Sequence, residues 1–159
     1  MTPVTSSGIT AADETHLERA VALARDARDS GDEPFGSLLV TPGGEVLEAV
    51  NNIVTAADPT GHAETNLVRL AGRLDPAVRA GSVLYTSTEP CAMCAGAIYW
   101  SGIGRIVFAL SSEQLGAMIG KPALRLSSRE VFERGARPIV IDGPAALRSA
   151  TEVHAGFWN

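Results

Sequence analysis

At 159 residues, 45% of them hydrophobic, the chain is long enough to bury one substantial core without disulfide staples and too short for two domains of ordinary size, so residues 1–159 are expected to form a single domain. Its formal net charge of −5, with thirteen Lys and Arg residues scattered along the sequence, excludes the dense basic stripe that a phosphate backbone demands; a small-molecule partner is expected, not a nucleic acid. No run reaches the ~18 apolar residues of a membrane span, and the start Met1–Gly8 has neither the basic nor the apolar region of a secretory signal, so a cytoplasmic protein is expected.

Residues 1–9 are polar and small and are expected to be flexible. From Thr10 to Ser30, Leu17, Val21 and Ala24 fall at i, i+4 and i+7; Thr10 with Asp13 supplies a cap and Gly31 a stop. The spacing predicts an amphipathic helix. Ser37–Val40 and Val46–Val50 are β-prone runs around Thr41-Pro42-Gly43-Gly44-Glu45, whose Pro and Gly chemistry predicts a hairpin. A loop through Asp58-Pro59-Thr60-Gly61 leads to a helix starting near His62, with Leu67, Leu70 and Ala71 on its buried face. Val83–Ser87 reads as a buried strand. Thr88-Glu89-Pro90 then leads into a helix from Cys91 to about Trp100, ended by Ser101-Gly102. Arg105–Leu110 predicts a strand, Ser111–Met118 a short helix, Pro138–Ile141 a last strand and Ala145–Phe157 a final helix, with residues 142–159 forming a carboxy-terminal helix or lid. Strands alternating with helices after residue 60 imply an α/β fold with a mixed sheet and helices on both faces.

Two short motifs carry chemistry. His62-Ala63-Glu64 is followed by Pro90-Cys91-Ala92-Met93-Cys94, which together offer one imidazole, two thiolates and a spare carboxylate. Zn²⁺ takes such ligands readily, and a site with three protein ligands keeps a fourth position for water, as catalytic zinc does. His62, Cys91 and Cys94 are the expected metal ligands. Glu64 is the expected catalytic residue, taking a proton from the metal-activated water and handing it to the leaving amine. With His62 at the start of one helix and both cysteines at the start of the other, the helix dipoles would favour thiolate and keep His62 neutral and able to ligate. A thioredoxin-like redox pair would explain Cys91-x-x-Cys94 but leaves His62 and Glu64 without a purpose. A closed structural zinc would need His16 or His154, both distant in sequence, as its fourth ligand.

The motif pair His62-x-Glu64 and Pro90-Cys91-x-x-Cys94 resembles the cytidine deaminase superfamily, in its branch of nucleobase deaminases. Over about residues 30 to 110 it is most similar to bacterial guanine deaminases, through Pro34-Phe35-Gly36, the run Asn51 to Glu64 and the run Cys94 to Trp100. The resemblance implies a three-layer α/β/α sandwich on a five-stranded mixed sheet, a zinc cofactor and a homodimer or larger assembly. It further implies hydrolytic deamination of a small aminated nucleobase, guanine or a related amino-purine or triazine. Cytosine or isocytosine, a tRNA adenosine and a non-catalytic zinc-bearing module are the competing readings. By the same resemblance Asn51 would hydrogen-bond the base edge, the Ala63 backbone would contact the ring, and Phe35 would wall the pocket. Glu113 would replace the second acidic proton shuttle of guanine deaminases. Asn51 read alone is equally a turn residue. Phe35, Trp100, Phe157 and Trp158 are either core or interface aromatics, or platforms that stack on a planar base.

Overall fold

The computed structural model describes residues 4–121 and 123–159. Six strands form one sheet: β1 (Val4–Thr5), β2 (Gly36–Val40), β3 (Val46–Val50), β4 (Val83–Thr88), β5 (Arg105–Leu110) and β6 (Ile139–Asp142), in the order β1-β6-β5-β4-β2-β3. β2 runs antiparallel to both β3 and β4, while β4, β5, β6 and β1 are parallel. Apolar residues run almost unbroken along the parallel strands because both of their faces are covered. On β5, Ile106 and Phe108 point into one core while Val107 and Ala109 point into the other. The first core packs against α2 (Ala63–Ala71), α4 (Ala92–Ser101) and α6 (Ser128–Glu133); the second packs against α1 (Ala11–Asp29) and α7 (Arg148–Glu152). Helices α3 (Pro76–Ala80) and α5 (Ser112–Ile119) complete the element order. The α/β/α layering and mixed sheet are as expected, with one strand more than the five implied.

That strand comes from the segment read as flexible. Val4 and Thr5 pair with Ile139 and Val140, and the turn after them is pinned to one carboxylate. Asp142 accepts hydrogen bonds from Ser6 Oγ (2.6 Å), Ser7 N (2.8 Å), Ser7 Oγ (2.8 Å) and Gly8 N (2.9 Å). Arg105 bridges Asp142 and Asp13, and Tyr85 Oη donates to Asp13 at 2.7 Å. Polar composition alone hides this kind of anchoring, because the partners are more than a hundred residues away. Burial alone would raise the Asp142 carboxyl, but the hydrogen bonds from Ser6, Ser7, Arg105 and Gly8 hold it down at about 2. Its folded-state value lies below its unfolded one, so the stability it contributes is present above about pH 4 and is lost as pH falls towards 2. Replacing Asp142 by Asn should therefore cost ~2 kcal/mol at pH 7 and much less near pH 2. Urea unfolding followed by circular dichroism at both pH values checks this; an equal loss at both would contradict it.

Three other details depart from expectation. Leu70 is 46% exposed, because the buried stripe of α2 runs through Leu67 and Ala71 one turn apart. The final helix is confined to Arg148–Glu152, and the chain then continues in turns to Phe157. Helices α3 and α6, each of five or six residues, are too short to show a periodic signal in the sequence.

Candidate active site

Helices α2 and α4 pack side by side, and α4 begins just after the end of β4. His62 is the N-cap of α2 and Cys91 the N-cap of α4, and neither side chain makes a capping hydrogen bond. Helices α1, α5 and α6 instead start with complete capping boxes on Thr10, Ser111 and Ser127. An uncapped start costs about 1 kcal/mol. At α2 and α4 the capping position has been given to ligand atoms.

Those atoms converge. His62 Nδ1 lies 3.5 Å from Cys91 Sγ and 3.5 Å from Cys94 Sγ, and all three lie within 4.8 Å of one another. Tetrahedral zinc, with bonds of about 2.0 Å to nitrogen and 2.3 Å to sulfur, sets its nitrogen and sulfur ligands about 3.5 Å apart. The donor set and spacing therefore fit Zn²⁺ bound by His62, Cys91 and Cys94. Hydrogen bonds from Cys94 and His62 hold the Cys91 thiol well below its ordinary value, so this sulfur carries thiolate charge. Thr65 Oγ1 lies 3.2 Å from Cys94 Sγ and steadies the buried sulfur. His16, half-buried against the Tyr85 ring, and His154, buried in the tail, do not join the cluster. A fourth protein ligand is thus absent among the described residues.

The loop delivering His62 is tightly built. Asn52 N donates to Gly61 O at 2.9 Å, and Asn66 Nδ2 donates to Asn52 Oδ1 at 2.9 Å. A Cβ on Gly61 would lie 2.4 Å from Asn52 Oδ1 and 3.0 Å from Asp58 O, so only glycine allows the chain to fold back here. Asn51 is buried and spends its Oδ1 on Ile53 N, which leaves Nδ2 without a protein partner.

Glu64, in the first turn of α2, is buried among polar groups. Ser37 Oγ donates to Thr86 Oγ1 at 2.9 Å, and Thr86 Oγ1 donates to Glu64 Oε1 at 3.0 Å. This chain from the sheet fixes the carboxylate on one oxygen. Burial pushes the Glu64 carboxyl above its ordinary value, towards the range in which a group can both take and return a proton at neutral pH.

A cavity of about 390 Å³ opens over these groups, lined by His62, Glu64 and Cys91. Phe35 and Trp158 form part of its wall, 6.0 Å apart between ring centroids, with His154 packed behind them. Trp158 Nε1 donates to His154 Nδ1 at 3.1 Å, and burial lowers His154 to about 4, so this imidazole is a neutral acceptor that orients the tryptophan. The tail therefore reaches the pocket, through Trp158. Five expected substrate contacts are not among its lining residues: Asn51 and Ala63 are buried next to the ligand loop and the start of α2, and three others lie elsewhere. Trp100 is 86% exposed at the far end of α4, Glu113 is exposed on α5, and Phe157 lies against Arg28, with the edge of Trp158 beside it. Sequence reading missed Glu33, Thr88 and Glu89 on the wall, and the segment containing Lys121, Leu124 and Leu126. Only Glu33 had a local cue, a charge set directly before Pro34-Phe35-Gly36.

Residues 10–110 match the family described as the cytidine and deoxycytidylate deaminase zinc-binding region. The chain is 38% identical over 160 residues to a probable cytosine deaminase of Schizosaccharomyces pombe, covering 98% of each chain. It is 43% identical over 98 residues to the guanine deaminase of Bacillus subtilis, covering 60% of this chain and 63% of that one. Among solved structures, a protein crystallised with 2,6-diaminopurine is similar with a TM-score of 0.73 and 25% identity, over 91% of this chain and 80% of that one. With the ligand cluster, the buried glutamate and the layered sheet in place, these matches assign the chain to the cytidine deaminase superfamily of zinc-type deaminases.

Proposed function

We propose that the protein hydrolytically deaminates a free aminated nucleobase, with a single-ring base of the cytosine type as first substrate. The observation carrying this reading is Glu64, held beside the three metal ligands on the wall of a mostly apolar cavity. Zinc, when bound, supplies a Lewis acid that makes water nucleophilic at neutral pH. Glu64 then takes the proton of the attacking water, delivers it to the ring nitrogen and later protonates the departing amine. Thr86 keeps its carboxylate aimed throughout. Asn51 Nδ2 and the Ala63 N–H, which as the first amide of a helix has no intrahelical acceptor, are free to hold the ring edge. Phe35 and Trp158, adjacent on the wall, offer the ring aromatic surface to pack against.

The cavity is near the small end of the roughly 300–1,000 Å³ of small-molecule sites, which favours a base over a nucleotide. The relative named as a cytosine deaminase matches over 98% of this chain, whereas the guanine deaminase match spans 98 residues. Guanine or an amino-triazine is the second reading, favoured by Pro34-Phe35-Gly36 and by the structural neighbour with a diaminopurine. Ammonia release by the zinc-loaded protein should be measured on cytosine, isocytosine, guanine, an amino-triazine, cytidine and an adenosine-bearing tRNA stem-loop. Fastest turnover of cytosine is expected. Turnover of guanine alone would reverse the order of the two readings, and turnover of the stem-loop alone would overturn both.

We also propose a homodimer that buries Trp100. The indole stands 86% exposed on α4, two turns along the helix from Met93, itself 39% exposed, and aromatic and methionine side chains are enriched where chains meet. Sedimentation should show a dimer that Trp100→Arg converts to monomer; an unchanged mass would remove Trp100 from the interface.

A further inference from the structure

One charged group on the cavity wall has no part in the chemistry above. Glu33 lines the same cavity as His62 and Glu64 and is half-buried, yet its carboxylate makes no hydrogen bond or ion pair with the described residues. Holding a carboxylate partly out of water without a partner costs stability. Burial accordingly pushes its carboxyl up from the ordinary value.

Its placement is not slack. The neighbouring Asp32 carboxylate accepts from Val54 N and Thr55 N at 2.9 Å each and from Thr55 Oγ1 at 2.7 Å. Phe35 N donates to Glu33 O at 2.8 Å, and Gly36 N donates to Ser87 Oγ at 3.1 Å. Gly36 lies so close to α1 that a Cβ there would stand 2.5 Å from Ala20 O. The backbone on both sides of Glu33 is thus locked, and its side chain is left unpaired at the cavity.

We propose that Glu33 selects the substrate: its carboxylate accepts a hydrogen bond from a ring N–H of the base, and its charge repels rings that carry phosphate. This inference rests on the proposed free-base activity and deepens it. A neutral base offers a ring N–H that a carboxylate accepts strongly. Attaching a sugar replaces that N–H by an N–C bond, removing the donor and placing bulk at the mouth. A 5′-phosphate adds like charge to a wall that already carries Glu33, Glu64 and Glu89 against the single exposed Lys121. Selection against the larger substrates then comes from an unpaired acceptor and from repulsion together.

The test compares the zinc-loaded wild type with Glu33→Gln on four related substrates. These are the preferred base, its derivative methylated at the glycosidic nitrogen, the nucleoside and the 5′-monophosphate. For the base, KM should rise about 10- to 100-fold with kcat changed little, as expected for a charged acceptor lost from binding. The methylated base should respond little, and the preference for base over monophosphate should shrink by at least about tenfold. Glu33→Asp, which keeps the charge but withdraws it by one methylene, should weaken the base yet still discriminate against the monophosphate. Equal losses on all four substrates, or none, would overturn the role of Glu33 while leaving the free-base reading intact. Wild type that turns over only the nucleoside or the nucleotide would overturn both.

Discussion

Glu64→Ala should abolish ammonia release while the protein still binds one zinc per chain. Among the described residues, the carboxylate is the only group on the cavity wall that is both buried and anchored by a donor from the sheet, at 3.0 Å from Thr86. General acid–base catalysis supplies about 10²- to 10⁴-fold for one proton transfer. Because the same oxygens serve successive transfers, the loss should be at the upper end, on the order of 10⁴-fold in kcat. KM should change little. The measurement is single-turnover ammonia release together with metal content by atomic absorption. Turnover within tenfold of wild type at full zinc content would remove Glu64 from the reaction. Loss of zinc along with activity would instead show that Glu64 holds the metal site together.

Zinc removal should have the largest effect on stability. Two of its ligands, His62 and Cys91, are the N-caps of two helices whose starts lack any side-chain cap, with Cys94 in the first turn of the second, and the cluster presses a thiolate, a thiol and an imidazole within 4.8 Å. Metal present at about a thousand times its dissociation constant stabilises the folded chain by ~4 kcal/mol. For a domain of this length that corresponds to a midpoint on the order of 10 °C higher than that of the stripped protein. Calorimetry before and after dialysis against a strong chelator reads the difference. Cys91→Ser should reproduce the stripped value with zinc present. A midpoint that chelation does not move would mean that the two helix starts are secured by something other than the metal.

The metal and proton-transfer residues were legible because their spacing is local and their chemistry narrow. His62, Glu64, Cys91 and Cys94 need only the first turns of two helices, and a helix start after a loop is readable from Gly61 and Pro90. The sheet followed from apolar runs such as Arg105–Leu110 for the same reason. The substrate wall was not legible. Trp158 reaches the pocket through turns after Glu152, where a continuous helix to Phe157 was expected. Trp100 reads in sequence as an aromatic that could stack on the substrate, but six residues along α4 from Cys94 carry it to the opposite end of the helix. Glu33 and Thr88 reach the cavity only through long-range pairing, since β2 and β4 must lie side by side before either faces it.

Glu89 ties two distant helix starts together. One carboxylate oxygen accepts from Ser112 N at 2.9 Å, where α5 begins, and the other accepts from Ser128 Oγ at 2.9 Å, where α6 begins. Between those two fixed points the chain passes over the cavity mouth and presents Leu124, 77% exposed. The stretch after α5, clamped at the start of α6, is loop, and a surface loop tolerates changes of sequence and length at little cost. The clamp stands two residues before Cys91, on the metal side, so such changes leave the reacting centre where it is. The architecture thereby separates what must be inherited unchanged from what can drift, and a lineage with this layout can exchange one ring for another without relearning how to remove the amine.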